Sequence, residues 1–347
     1  EISRSDWSSD VCSSDLMFKV RQYTREDELE WNNFVENSKQ GTFLFNRSYM
    51  DYHADRFHDC SLMVYRKDRL YALLPANRVD TTLYSHQGLT YGGLITNAEA
   101  TAVGVCEAFL EINKYLYGIG IQHVLYKCMP WIYHRIPAEE DLYALFHVCK
   151  ARLIHRYIAS TIDQTNPIKW RKDRQHGVKS ALKEGLIIER KSKDLGLFWD
   201  ILTNNLQATY HAKPVHTLEE MTLLIHHFPD NIPLYMARQG DKYLAGVLLY
   251  VTSNVVHTQY ISATTEGKEL HAVDAICHQI IKEDYKDVHF FDFGTSNEDS
   301  GDYLNAGLIQ QKEGFGARAV CYDQYEWDIT EDILTPYSLP TIRKQDD

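Results

Sequence analysis

The sequence predicts an α/β protein made of two tandem domains with the same element order, each around a mixed sheet. Three observations carry that reading. Strand-like alternation and helix-like apolar stripes succeed one another along most of the chain. The order in the first half, β-α-α-β-β-β-α-β-α-β, returns in the second. The hairpin "YRKDRLYALLPA" (65–76) also lies over "ARQGDKYLAGVLL" (237–249) with a one-residue slip.

The first half opens on "FKVRQY" (18–23), which alternates as a strand does. Thr24 with Asp27 has the spacing of a capping box, and Trp31, Phe34 and Val35 give the following helix its apolar stripe. A second, short helix is expected around 48–57. Three strand-like runs come next: "SLMVYR" (61–66), "LYALLPANRV" (70–79) and "LYSHQGLTYGG" (83–93). Val103, Cys106, Phe109, Leu110 and Leu116 mark a helix. A strand "IQHVLYKCM" (121–129), a helix over 139–151 and a strand "LIHRYIASTI" (153–162) complete the half.

The second half repeats this. "LIIERK" (186–191) is a strand and 197–210 a helix, and Thr217 with Glu220 caps another helix that runs to Phe228. The three strands are "IPLYMARQ" (232–239), "YLAGVLLYV" (243–251) and "VVHTQYISA" (255–263). A helix over 271–284 leads to the strand "VHFFDFG" (288–294), a helix near 304–313 and a last strand "ARAVCYDQYEW" (317–327). Between the halves stands the basic segment "KWRKDRQHGVKSALKEG" (169–185). The expected boundaries are 17–165 for the first domain, 166–185 for a basic linker helix and 186–330 for the second, catalytic domain. Residues 331–347, with Pro336 and Pro340, are expected to form a loose tail. Residues 1–16, "EISRSDWSSDVCSSDL", repeat Ser-Ser-Asp without periodicity ahead of Met17. They read as a foreign scar rather than a signal peptide.

Composition excludes several classes. The formal net charge is −12, so overall charge does not draw the chain to nucleic acid, no DNA partner is expected, and any polyanion site must be a local patch. The cysteines after the leader form no C-x-x-C pair and several sit in apolar runs, as reduced, buried thiols do. No apolar run approaches the ~18 residues of a membrane span. With no export signal either, a cytoplasmic location is expected. Sixteen histidines invite a metal, but His226 and His227 are adjacent and His53 and His58 lack a third ligand, so none is expected.

The repeated order resembles that of the GNAT acyltransferase fold. A tandem pair joined by a basic helix resembles the FemAB-like family of peptidoglycan-bridge aminoacyltransferases and the acetyltransferase group related to it. The residues that carry the likeness are Lys169, Arg171, Arg174, Lys179, Ala181 and Gly185 in the basic segment. The closing pattern "FDFG…GL..QKEGFGA", with Lys312, Phe315 and Gly316, adds to them. The resemblance spans 18–328 and implies an N-acyltransferase that joins an acyl or aminoacyl group to an amine. The acceptor is a small molecule or a cell-wall precursor. The amine attacks directly, so no serine or cysteine nucleophile is needed. No cofactor is permanently bound. The donor is acetyl-CoA or another acyl-CoA, or an aminoacyl-tRNA, and the sequence leaves that choice and the oligomeric state open. The usual pyrophosphate signature [QR]-x-x-G-x-[GA], which offers backbone N–H groups to phosphate, is replaced by "SATTEGKELHAVD" (262–274) with the single Gly267. Two rivals remain: an acetyl-CoA-dependent N-acetyltransferase acting on a small amine, and a degenerate GNAT pair serving as a binding or scaffold module.

In this fold the fourth and fifth strands part into a V where acyl group and acceptor meet. Asp292 and the loop 295–302 are expected at its edge. Lys312 is a candidate to stabilise the oxyanion, against the plain alternative of a solvated helix lysine. Tyr260 could protonate a leaving group and Asp292 could take the acceptor's proton. Each could equally be a satisfied core residue, as could His257, a further candidate base. Lys169, Arg171, Arg174 and Lys179, with Lys172 and Lys183, could hold phosphates or simply form a solvated linker. His86, Tyr91 and Gly92 end the splayed strand of the first half, where Gly92 and Gly93 suit a close substrate or a turn. His211 with Lys213, the loop residues Glu298 and Tyr303, and Phe315 complete the expected substrate contacts.

Overall fold

Two strands that close different halves of the chain lie side by side at the centre of the molecule. The computed structural model describes residues 18–298 and 301–335; the expected leader and most of the expected tail lie outside the described residues. The first half comprises β1 (Phe18–Gln22), α1 (Glu28–Asn37), α2 (Arg47–Met50), β2 (His58–Asp59), β3 (Leu62–Arg66), β4 (Arg69–Leu74), β5 (Asn77–Val79), β6 (Thr82–Tyr84), β7 (Ile95–Thr96), α3 (Ala102–Gly118), β8 (His123–Lys127), α4 (Glu140–His147) and β9 (Arg152–Asp163). The basic segment forms α5 (Lys172–Lys183). The second half comprises β10 (Ile187–Glu189), α6 (Leu195–Tyr210), α7 (Leu218–His227), β11 (Leu234–Gln239), β12 (Lys242–Val251), β13 (Val255–Ala263), α8 (Thr265–Glu269), α9 (Ala272–His278), β14 (Phe290–Thr295), β15 (Asn297–Glu298), β16 (Tyr303–Leu304), α10 (Ala306–Glu313) and β17 (Arg318–Asp328). The expected order is present in both halves. The capping box before α7 closes as its sequence requires: Glu220 N donates to Thr217 Oγ1 at 3.1 Å and Thr217 N to Glu220 Oε2 at 2.8 Å.

The strands form a four-stranded sheet, β1-β3-β4-β7, an eleven-stranded sheet, β10-β11-β12-β13-β14-β9-β17-β8-β6-β5-β2, and the ribbon β15-β16. Two details differ from expectation. The run 70–79 breaks at Pro75, which has no N–H to extend a ladder, so β4 stays in the small sheet and β5 joins the large one. The run 83–93 is a strand only at β6; the rest is loop, and Gly92 lies there against the Ser85 carbonyl.

The large sheet is symmetric about its centre. On one side β13 pairs parallel with β14, which meets β9; on the other β6 pairs parallel with β8, which meets β17. Each half therefore ends in a strand that completes the other half's sheet. The two exchanged strands pair with each other from Arg318↔Thr161 to Glu326↔Arg152. Three apolar cores follow. One lies under α3 and α4 around Phe109, Tyr126 and Trp327. Another lies under α5 and α9 around Ile276, Phe291 and Phe315. The third fills the seam between the halves, where Tyr91 and Tyr133 meet Tyr250 and Tyr322. Among the described residues no helix is long and apolar enough to cross a membrane, and no His/Cys/Asp/Glu group has metal-binding geometry.

Candidate active site

The strands β13 and β14 run together for three register pairs, Val255↔Phe290, Val256↔Phe291 and His257↔Asp292, and then part. Beyond the last pair β13 continues beside β12 to Ala263. β14 turns along β9 with a register shift after Asp292, and Gly294 there takes a φ of 70°, which favours glycine. His257 and Asp292 thus stand at the apex of a V.

Asp292 has no exposed surface. Its Oδ1 accepts from Thr161 Oγ1 at 2.9 Å and from Gly294 N at 3.1 Å. Its Oδ2 accepts from Tyr322 OH at 2.8 Å and His257 Nδ1 at 2.9 Å, with Tyr133 OH at 3.5 Å. Burial pushes this carboxyl up, but the hydrogen bond and attraction of His257, with the Tyr322 and Thr161 hydroxyls, outweigh it and hold the group below the usual carboxylate range. A carboxylate so saturated has little left with which to take a proton from an incoming amine.

Lys312 is buried, although its place on a short polar helix reads as solvated. Its Nζ donates to the carbonyls of Gly294 at 3.0 Å and Thr295 at 2.7 Å, fixing the bent end of β14. Two of the ammonium's three donors are therefore committed. The first half has a counterpart in Lys127, on β8, whose Nζ donates to the carbonyls of His86, Gln87 and Leu89. Burial pushes both lysines down to about 8. The unfolded chain holds such protons up to ~10.5, so it binds more of them than the folded chain between those values, and stability gains as pH rises through that window. Lys312→Met removes one share of that gain. Relative to the variant, wild type should gain about 1–2 kcal/mol in urea unfolding between pH 7.5 and 9.5; parallel pH curves would show that the ammonium is well solvated.

A cavity of about 400 Å³ opens where α5, α8, α9 and α10 converge. Arg171 and Arg174 of the basic segment line it, with Gly267, Lys268, His271, Asp274, Gln310 and Gln311 among its other walls. Arg171 stands just before α5 without a capping side-chain bond; its N donates to Gly314 O at 2.8 Å, and its guanidinium lies over Gly314. Gly316, at φ 88°, packs so closely on the Ile168 carbonyl that a Cβ would stand 2.4 Å from its oxygen. The glycines of "EGFG" thus dock α10 under the basic helix. Gly267 donates its N–H to Thr264 Oγ1 and lies against the Leu244 carbonyl, where a Cβ would sit 2.2 Å away.

Residues 169–303 match the family model described as "Acetyltransferase (GNAT) domain". That segment carries a GNAT acetyltransferase domain. The matched segment contains α5, the β13–α8 turn and the His257–Asp292 pair, and it ends just before α10. Among solved structures, FemX superposes with a TM-score of 0.66 at 10% identity, over 89% of this chain and 97% of FemX. The C-terminal domain of a putative lysylphosphatidylglycerol synthetase from Agrobacterium fabrum gives 0.59 at 11%, over 90% of this chain and 95% of that one. The L-PGS structure from Bacillus licheniformis gives 0.57 at 11%, over 88% and 92%. At these identities the likeness is one of fold, and the fold is a tandem GNAT pair. No curated protein matches the chain.

Within this GNAT pair the expected site residues fall into two groups. Arg171 and Arg174 meet at the cavity, and Asp292 and His257 meet at the apex, where Lys312 pins the strand. Tyr260 lies further along β13; its OH is bonded to His216 Nδ1 at 2.7 Å and its ring packs on Trp199 at 5.4 Å, beside α6. Phe315 is core: it packs on Trp170 and Phe293, and Arg174 lies over its ring. It touches the cavity only through Arg174, not as a substrate contact. Lys169 and Lys179 are exposed and line no wall of the cavity. His86 and Tyr91 are buried. His86 stacks near His53, and burial lowers it to about 3; Tyr91 OH bonds Thr42 Oγ1 at 3.1 Å. Gly92 is a residue of the same first-half loop, against the Ser85 carbonyl. His211 is the exposed left-handed residue ending α6. Glu298 and Tyr303 face solvent on the β15–β16 ribbon, where Glu298 accepts from Asn305 Nδ2. Lys268, His271, Gln310 and Gln311 were not expected. The first two lie inside the very stretch whose lack of glycines spoke against a phosphate site.

Proposed function

We propose that this GNAT protein transfers an acyl or aminoacyl group from a phosphate-bearing donor to an amine. One observation carries the reading: Arg171, Arg174, Lys268 and His271 gather round one cavity at the start of α5, at the C-terminal end of β13. Side-chain cations here take the role that backbone N–H groups have in the usual signature, and the uncapped start of α5 adds its dipole. The compact cavity favours a pyrophosphate, and so an acyl-coenzyme A donor. A second reading, aminoacyl-tRNA as donor and a cell-envelope component as acceptor, draws on the fold shared with FemX and with a protein named for lysylphosphatidylglycerol synthesis. The exposed cations Lys169, Lys172, Lys179 and Lys183 extend the positive surface away from the cavity and fit that longer ligand.

The two readings part under charge reversal. Arg171→Glu with Lys268→Glu should weaken coenzyme A binding by ~10–100-fold per lost charged hydrogen bond, and increasingly so at low salt. Lys169→Glu with Lys179→Glu should leave coenzyme A binding unchanged; a loss of aminoacyl-tRNA binding in that variant favours the second reading. Titration calorimetry and filter binding on the full chain read both. If wild type binds neither probe, and mass spectrometry finds no acylated product from acetyl-CoA or charged tRNA with a panel of amines, the acyl-transfer reading falls and the degenerate pair takes its place.

A further inference from the structure

The donor cavity and the His257–Asp292 pair lie on opposite faces of the sheet. Along β13 and β14, Val256, Phe291 and Phe293 point into the core under α5 and α9, the helices that wall the cavity. Val255 and Phe290 point into the seam between the halves. By strand alternation His257 and Asp292 share that second face. A donor bound in the cavity would bring its acyl carbon to the V from one side, leaving the other side to the amine.

The carboxylate can only accept, so His257 Nδ1 carries the proton of the 2.9 Å bond, and in the neutral imidazole Nε2 then keeps its lone pair. Nε2 has no hydrogen-bond partner among the described residues. It is also not among the fully enclosed unsatisfied atoms, and the side chain retains 9% exposure. The geometry points to His257 as the general base that deprotonates the acceptor amine, with Asp292 as its positioning residue; this rests on the acyl-transfer reading above. Thr161 comes from the exchanged strand β9, Tyr322 from the exchanged strand β17 and Tyr133 from the first half. Both halves therefore set the orientation of a ring that belongs to the second.

In the reaction the acceptor's ammonium gives one proton to Nε2. The freed nitrogen forms its bond to the acyl carbon, and the bond from that carbon to the leaving sulfur or oxygen breaks with its electron pair. The leaving atom takes the second proton from nitrogen, and His257 returns the first to solvent. The ionisable groups facing the pair are Lys312 from α10, Tyr322 from β17, Tyr133, and Tyr91 from the first-half loop. Burial raises all three tyrosines, so they stay neutral hydroxyls across the range in which a histidine titrates.

Two measurements test this on the full chain. Long-range proton–nitrogen NMR of histidine-labelled protein should find His257 protonated at Nδ1 and bare at Nε2; the opposite tautomer overturns the assignment without any substrate. With the donor and amine found in the product screen, His257→Gln should lower kcat/KM ~100–10,000-fold, leave coenzyme A affinity unchanged and abolish the acid limb of the pH profile. Asp292→Asn should weaken that limb while the melting transition persists. Normal turnover in a folded His257→Gln overturns the base and leaves the acyltransferase standing. Absence of product from wild type removes the acyltransferase reading, and the base with it.

Discussion

Expressed alone, residues 17–165 should not fold, and neither should residues 166–347; expressed together they should associate and unfold in one transition. The reason is the exchange of final strands. Without β17, β8 loses the partner that pairs with it from Gln324↔Lys127 to Asp328↔His123. The core under α3 also loses Trp327, which is 3% exposed, donates Nε1–H to Asn113 Oδ1 at 3.1 Å and packs on Tyr126 and Phe109. Truncating one such aromatic to alanine typically costs ~3–5 kcal/mol, a large share of the ~5–15 kcal/mol that holds a domain. The fragment loses that side chain and a whole ladder. Its own β9 would be left as an unpaired, aggregation-prone edge. Circular dichroism and denaturant unfolding of each fragment, alone and co-expressed, measure this. Cooperative unfolding of 17–165 by itself would mean that each half closes its own sheet.

Much of the architecture was legible because period-2 and period-3.6 patterns are local. The exchange was not, because β9 and β17 each read as the last strand of their own half, and alternation says nothing about which neighbour a strand chooses. In the site, Arg171 and Arg174 were legible from the density of basic residues. Lys268 and His271 were not, because a phosphate site was sought in backbone and glycine while the chain supplies side-chain charge. Lys312 stood out by motif, but its burial against two carbonyls depends on how β14 bends, which sequence does not reveal. Asp292 and His257 could each be singled out. Only the register between β13 and β14 makes them a pair. Phe315 and Tyr91 show the opposite error: aromatics beside a motif more often fill the core that holds it than touch a ligand.

Arg174 offers a test in which stability and binding separate. Its Nη1 donates to Asp274 Oδ1 at 2.7 Å across the contact between α5 and α9. The Asp274 side chain is 3% exposed, and its Oδ2 is wedged beside Gly177 with no hydrogen-bond partner among the described residues, His271 Nδ1 standing 3.4 Å away. Burial pushes the Asp274 carboxyl up and the Arg174 charge opposes it. Arg174→Ala leaves a carboxylate enclosed without its cation and should cost ~3–5 kcal/mol. Asp274→Ala should cost less, ~1–2 kcal/mol, because Arg174 is 20% exposed and can turn to water. The double variant should recover most of the loss, giving a coupling well beyond the few tenths expected of independent sites. The sign with pH is fixed as well. In Arg174→Ala the folded carboxyl is raised further above its unfolded value, so the folded state binds more protons and the variant's deficit shrinks as pH falls from 7.5 toward 5. Urea unfolding of the four proteins at both values decides it: additive losses with no pH dependence would make the pair a solvated surface contact. Coenzyme A binding should behave differently, because Arg174→Ala and the double variant both lack the cavity cation and should lose affinity alike, whatever stability the second substitution restores.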